Sequence, residues 1–175
     1  MFAIIYYVAV SLDGYIATPD GGVKWLAPFE SSGEDYKYAK FYASVDAVLV
    51  GRRTFEQSLS FTDVPFPGKF CRVFSRSRSS ADHPGVKVTS ESPKTVATEL
   101  EKQGVRRAWL VGGGQLAGAF QAEGLISEYM ISVMPVVLGA GIQLFRPSGS
   151  TASLKLIESK PFSSGVVQLT YSRLT

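Results

Sequence analysis

Three features of the chain predict an α/β fold: a mostly parallel central sheet flanked by helices, with antiparallel strands at its C-terminal edge. Short apolar runs alternate with stretches of helical period from the N-terminus to Gly124. The run Asp46–Val50 (DAVLV) is short and apolar, as a strand covered on both faces must be. After Gly124, three strand-like runs follow with no helix between them, which places antiparallel strands at one edge.

In chain order, the β-branched and aromatic run Phe2–Val10 reads as the first strand, ended by Asp13-Gly14. Pro19-Asp20-Gly21-Gly22 marks a loop. Tyr38, Phe41, Tyr42 and Val45 fall on one helical face, and that helix is expected to begin near Ser32–Glu34. After the strand Asp46–Val50, Thr54 stands where an N-cap is expected, ahead of Phe55–Leu59. Ser60–Lys69 reads as loop, Phe70–Phe74 as strand, SRSRSS as a polar loop and Val86–Val88 as a short strand. Ser92-Pro93 opens a helix that runs to Gln103 and stops at Gly104. Ala108–Val111 is a strand, Gly112–Gly114 a turn, and Gln115–Ala122 a helix closed by Gly124. Tyr129–Leu138, Leu154–Glu158 and Val166–Arg173 complete the strands.

A chain of 175 residues fits a single domain, residues 1–175, and its 45% hydrophobic content is enough to build a core. No apolar run nears the roughly 18 residues of a membrane span. The first residues lack a basic leader before their apolar run, so they read as strand and not as a signal. One cysteine (Cys71) precludes an internal disulfide, and one histidine (His83, in the turn-like DHPG) precludes a Cys/His zinc site. The expected setting is a reducing cytoplasm. The net charge of +3 is spread in small clusters, without the continuous basic stripe that nucleic-acid binding requires. Those clusters (Arg52-Arg53, Arg76–Arg78, Arg106-Arg107) better suit a phosphorylated small molecule.

Three junctions follow buried strands at their carboxyl ends, the edge where open α/β sheets bind ligands. In Gly51-Arg52-Arg53-Thr54, a helix start with unpaired N–H groups is flanked by two arginines, a setting that attracts anions. The alternative is an ordinary strand–helix turn with solvated arginines. In Ser75-Arg76-Ser77-Arg78, hydroxyls and guanidiniums can clasp a phosphate, or merely form a polar loop. In Gly112-Gly113-Gly114-Gln115-Leu116, three glycines admit a ligand close to backbone, or simply serve sheet packing. Gly112, Gly114 and Ala117 fit G-x-G-x-x-A, but no acid ends the next strand to grip a ribose. Together, the three junctions describe a site for a dinucleotide with an extra phosphate. Arginines in place of a ribose-gripping acid favour NADPH over NADH.

Asp13 reads most simply as a turn residue, and Asp35 as a helix-start carboxylate in the first turn of its helix. Trp25 is either an amphipathic lid or core, and Cys71 is a small apolar residue in a strand.

The ordered segments VAVSLDGYIA (8–17), DAVLVGRRTFE (46–56), VFSRS (73–77), WLVGGGQL (109–116) and PVVLGAG (135–141) resemble the dihydrofolate-reductase-like superfamily. Within it the likeness is to the RibD C-terminal reductase domain of riboflavin biosynthesis, in a stand-alone form, since the chain lacks the deaminase's zinc motifs. The resemblance implies a dihydrofolate-reductase-like fold and an NADPH-dependent reductase. It assigns Gly51, Arg52, Arg53 and Thr54 to the cofactor's pyrophosphate and 2′-phosphate, and Ser75 and Arg76 to its adenosine. Gly112, Gly113, Gly114, Gln115 and Leu116 would lie under the pyrophosphate and nicotinamide, with Ala9, Ile16 and Ala17 facing the nicotinamide. It also implies a cis peptide at Gly112-Gly113. Asp35, or Glu34, takes the place of the acid that supports substrate protonation in dihydrofolate reductases, although the L-P-x-D sequence usual there is replaced by SSGEDY. Asp13 and Trp25 fall on the substrate side. A homodimer is the assembly that the resemblance implies, with the apolar C-terminal strands as an interface. Three functions stay open: reduction of a small polar or phosphorylated heterocycle, dihydrofolate reduction, and non-catalytic NADPH sensing.

Overall fold

A computed structural model describes residues 2–77 and 85–174; the readings at Arg78 and His83 lie outside the described residues. The strand that the sequence marks as most apolar, β3 (Ala47–Gly51), is buried throughout Ala47–Val50. It is flanked by β4 (Phe70–Phe74) and β6 (Arg107–Gly112), both parallel to it. β5 (Val86–Thr89) extends the sheet beyond β4, and β1 (Ala3–Ser11) lies parallel to β6 on the other side. β7 (Glu128–Met134) is parallel to β1, then β10 (Val167–Arg173) and β9 (Leu154–Pro161) close the edge in antiparallel pairing. The order among the described residues is therefore β5-β4-β3-β6-β1-β7-β10-β9, parallel up to β7. The architecture is the α/β one expected, a mostly parallel sheet with antiparallel strands at its C-terminal edge.

Alternation along these strands feeds two cores. Ile4, Tyr6, Leu49 and Leu110 point to one face, beneath α4 (Pro93–Lys102) and α5 (Gly114–Ala122), with Val96, Leu100, Ala117 and Phe120. Ile5, Val48, Val50 and Trp109 point to the other, with Phe41 from α2 (Tyr38–Ser44) and Phe55 from α3 (Arg52–Leu59). Each fully buried side chain of this size contributes about 1.5–3 kcal/mol. α4 is bounded as its sequence signals: the Ser92 hydroxyl accepts from the Thr95 N–H at 3.1 Å, and Pro93 occupies the first turn.

Local departures have local causes. The helix expected from Ser32–Glu34 begins only at Tyr38, because Tyr36 (φ 52°) and Lys37 (φ 65°) are both left-handed. Asp35 thus precedes the helix instead of lying in its first turn. Thr54 is not an N-cap: β3 turns directly into α3 with extended Gly51 as the cap, so Thr54 lies one turn inside. The strand expected to reach Leu138 stops at Met134, since Pro135 has no N–H for the ladder and Val136 N–H turns back to the Met134 carbonyl. The expected loop before α2 contains a 3-10 turn (Lys24–Leu26) and α1 (Ala27–Glu30). Two short strands, β2 (Tyr15–Ala17) and β8 (Ile142–Gln143), pair with each other outside the main sheet. Their sequences carry no alternation long enough to signal them. No helix among the described residues is long and apolar enough to cross a membrane.

Candidate functional site

Because β4, β3 and β6 are adjacent and parallel, the three junctions come out at the same edge of the sheet. The register pairs Gly51 with Phe74 and Val50 with Gly112, so the strand ends are level. The Gly112-Gly113 peptide is cis, as expected, and Gly112 has φ 111°, a conformation open in practice to glycine alone. A methyl group on Gly51 would stand 3.4 Å from the Gly112 carbonyl oxygen. One on Gly113 would stand 3.6 Å from Thr54 Oγ1 and 3.9 Å from Ile16 Cδ1. Thr54 and Ile16 therefore flank the glycine turn, and the missing side chains leave a cradle of bare backbone between them.

The side chains around this cradle divide into engaged and available groups. Arg52 donates through Nε to Glu56 Oε1 at 2.6 Å and through Nη1 to Ser77 Oγ at 2.6 Å, joining the first two junctions. The Ser75 hydroxyl donates to the Ser77 carbonyl at 2.8 Å, closing the loop turn. Arg53 and Arg76 are exposed and have no ion-pair partner among the described residues, so their donors are available. Gln115 is exposed at the start of α5. Leu116 packs into the core, which leaves only its backbone to the site. Gly114 is buried, and a side chain there would collide with the Gln143 carbonyl of the crossing segment. Ala17 is buried on β2, with its carbonyl against Gly141.

Next to the cradle, Ala9 packs in a third cluster with Met134, Phe162 and Val166 from the sheet and Trp25, Leu26, Phe29 and Tyr36 from the covering segment. Trp25 is half-buried, and its indole N–H is buried with no hydrogen-bond partner. Tyr36 is the hub of this wall. Its carbonyl accepts from Tyr7 Oη at 3.2 Å and from Gln168 Nε2 at 3.0 Å, and its hydroxyl lies 3.0 Å from Ser164 Oγ. Its ring meets Phe162 edge-on at 5.0 Å. Gln168 is only 2% exposed and also donates to Ser132 Oγ at 3.1 Å. Neither Tyr36 nor Gln168 was singled out from sequence. A lone glutamine in a strand, 132 residues from the tyrosine it holds, gives no local signal.

The acids are placed differently from the sequence expectation. Asp35 accepts from the Lys37 N–H at 2.9 Å and the Ala39 N–H at 3.3 Å, so its exposed carboxylate caps α2 from outside. Glu34 accepts from the Tyr36 N–H at 3.3 Å and is also exposed. Asp35 does act on Tyr7, whose phenol is pushed up to about 12, first by burial, then by Tyr38 and Asp35. Asp13 braces a loop, accepting from Ser11 Oγ at 2.6 Å, Leu138 N–H at 3.1 Å and Gly139 N–H at 2.7 Å. The Ser11 hydroxyl foremost, and then these amides, hold its carboxyl below the usual carboxylate range. These bonds tie the exposed Asp13 carboxylate to the 138–139 segment. Cys71 is buried in β4, with its thiol pushed up to about 12 by desolvation. Among the described residues no cluster of His, Cys, Asp and Glu could hold a metal ion.

The family model of the RibD C-terminal domain matches residues 3–168. The chain belongs to the RibD C-terminal domain family. RibD C-terminal domains are an oxidoreductase family. An uncharacterised protein of Bacillus subtilis, YwjB, is 39% identical to this RibD C-terminal domain over 170 residues, covering 97% of both chains. A putative riboflavin biosynthesis protein from Shewanella sp. PV-4 has a similar crystal structure, with TM-score 0.89, 29% identity and 99% coverage of both chains. Dihydrofolate reductase from Enterococcus faecalis, complexed with NADP(H), has TM-score 0.71 at 16% identity. That comparison covers 100% of this chain and 97% of that one and speaks for a shared fold.

Proposed function

We propose that this RibD C-terminal domain is an NADPH-dependent reductase. It would deliver hydride to a small polar or phosphorylated heterocycle, in the manner of 5-amino-6-(5-phosphoribosylamino)uracil reduction. The carrying observation is that the three junctions, which bear Arg53, Thr54 and Arg76, end level at one sheet edge, with Thr54 and Ile16 beside the glycine turn. The residues fit the cofactor: bare glycine backbone admits a diphosphate, and two unpaired guanidiniums offer charge-assisted hydrogen bonds to phosphate. When bound, the nicotinamide supplies the hydride, while the protein supplies position and electrostatics.

In this reading Gly51, Thr54 and Gly112–Leu116 hold the diphosphate through backbone N–H groups and the Thr54 hydroxyl. Arg52, Arg53, Ser75 and Arg76 hold the adenosine end. Ala9, Ile16 and Ala17 line the nicotinamide side, and Trp25 shields the reaction from water. The riboflavin-type reading is favoured over dihydrofolate reduction because Asp35 is an exposed helix cap and not an enclosed acid. Asp35 and Glu34 are then at most relays to bulk water. On the edge strand β9, Leu154, Leu156 and Ile157 are exposed, which supports a homodimer formed at that edge.

The test is NADPH titration followed by turnover. NADPH at about 100 times its dissociation constant stabilises the chain by about 2.7 kcal/mol in a melting experiment. Arg53→Ala and Arg76→Ala each weaken NADPH binding by about 1.5–3 kcal/mol, roughly 10- to 150-fold. With 5-amino-6-(5-phosphoribosylamino)uracil, absorbance at the nicotinamide band falls. Tight NADPH binding without oxidation by this compound or by dihydrofolate would support the sensing role instead.

A further inference from the structure

The two sides of the cleft differ in charge. The junctions after β3 and β4 bear Arg52, Arg53 and Arg76, and Arg52 is the first arginine of the chain. Residues 11–37, which run from the end of β1 through the covering segment, therefore have none. They carry five exposed carboxylates, Asp13, Asp20, Glu30, Glu34 and Asp35, against two lysines. One of those lysines, Lys37, is taken up by both carboxylate oxygens of Glu158, at 2.7 and 2.8 Å. Beside them, Lys160 stands over the Phe162 ring, 4.7 Å from its centroid. Residues 135–141, after β7, are uncharged. Apolar surface takes the place of cations. Trp25, Phe29, Tyr36 and Phe162 belong to the cluster that packs with Ala9. At the ends of β1 and β7, Leu12 and Val137 are 68% and 67% exposed. Their loops lie side by side, since the Leu12 N–H donates to the Val136 carbonyl at 2.8 Å.

We infer that the substrate of this reductase is a flat, uncharged heterocycle that carries no phosphate. The inference rests on the reductase reading, with the Ala9 cluster on the substrate side, and narrows its substrate class. A phosphate ester carries about −1.5 to −2 charges near pH 7 and is held by guanidiniums or free ammonium groups. On this side it meets an excess of carboxylates and no arginine. Repulsion between exposed charges is weak in water, but a neutral substrate is spared it altogether. A neutral ring gains from contact with aromatic side chains, and Leu12 and Val137 offer apolar contact to a group that projects from it. The chemistry is unchanged. The carbon of a C=N or C=O group gains hydride from NADPH, which leaves as NADP+, and the nitrogen or oxygen takes a proton from water.

Initial rates of NADPH oxidation with 5-amino-6-(5-phosphoribosylamino)uracil and with its phosphate-free riboside, at low salt, test this. Both are reduced, and kcat/KM is higher for the riboside by about threefold or more. Added salt narrows the ratio by speeding the phosphorylated compound. Glu30→Lys puts a cation next to Phe29 on the covering segment and narrows the ratio as well, and its melting temperature confirms that the variant is folded. A wild-type ratio below about threefold, or one that neither salt nor Glu30→Lys moves, overturns the inference and leaves the reductase reading standing. Failure of both compounds to oxidise NADPH overturns the two together.

Discussion

On the diphosphate side of the proposed cleft, every contributing group lies within a few residues of the end of a parallel strand: Gly51–Thr54 after β3, Ser75 and Arg76 after β4, Gly112–Gln115 after β6. On the substrate side, the wall hangs on Tyr36, which is tied to Ser164 and Gln168 at separations of 128 and 132 residues. On the first side, the junctions after β3 and β6 are strand–turn–helix units that close locally, while the one after β4 leads toward β5. The second has no regular element at Gly33–Lys37, and β1 and β10 grip one carbonyl there. A wall of the second kind can change its sequence with little effect on the sheet, which is how one fold can serve different substrates.

Substitutions separate the two sides by size of effect. Leu110 is fully buried in β6 between both halves, and Leu110→Ala is expected to cost about 2–5 kcal/mol in urea unfolding. NADPH binding should weaken along with stability, because the glycine turn continues that strand. Gln168→Ala removes the amide that holds Tyr36 and leaves the Ser132 hydroxyl unpaired, at a cost of about 1–3 kcal/mol. Amide exchange should accelerate at residues 34–37, while the dissociation constant for NADPH stays within about twofold. A loss of NADPH affinity as large as that of Arg53→Ala would show that the two sides are not independent.

The smallest effect concerns pH. The folded-state pKa of Asp13 is depressed, so its contribution to stability is present above the unfolded carboxylate value. It is lost as pH falls through the folded one. Acid titration of wild type and Asp13→Asn, followed by melting temperature, should therefore show the wild type losing its advantage at the acid end, below about pH 4. An advantage that persists at lower pH would mean that the brace on Leu138 and Gly139 does not depend on charge.

Much of the diphosphate side was legible before folding was considered. The strands β3, β4 and β6, the Ser92 cap and the glycine turn are encoded by neighbours in sequence, through apolar runs and by residues with special backbone freedom. Even there, the placement of Thr54 inside α3 was missed, because a threonine after a strand looks like a cap until the strand is seen to enter the helix without a loop. The local readings of Asp35 as a helix-start carboxylate and of Asp13 as a turn residue agree with the bonds they make, but the partners in those bonds were not legible. Whether a carboxylate titrates, caps or braces depends on which N–H groups face it, and those come from Lys37 and Ala39 in one case and from Leu138 and Gly139 in the other.

By itself, the order of residues determined the alternating α/β pattern, the parallel sheet with its antiparallel edge, and the three glycine- and arginine-bearing junctions. These are consequences of hydrophobic period and local backbone preference, which act over a few residues. Tertiary structure alone decided that Glu56 and Ser77 share one guanidinium, that Gln168 fixes Tyr36, and that Trp25 lies against the Ala9 cluster. Such pairings join distant segments through hydrogen bonds and packing, whose partners are specified only when the sheet has brought them within reach.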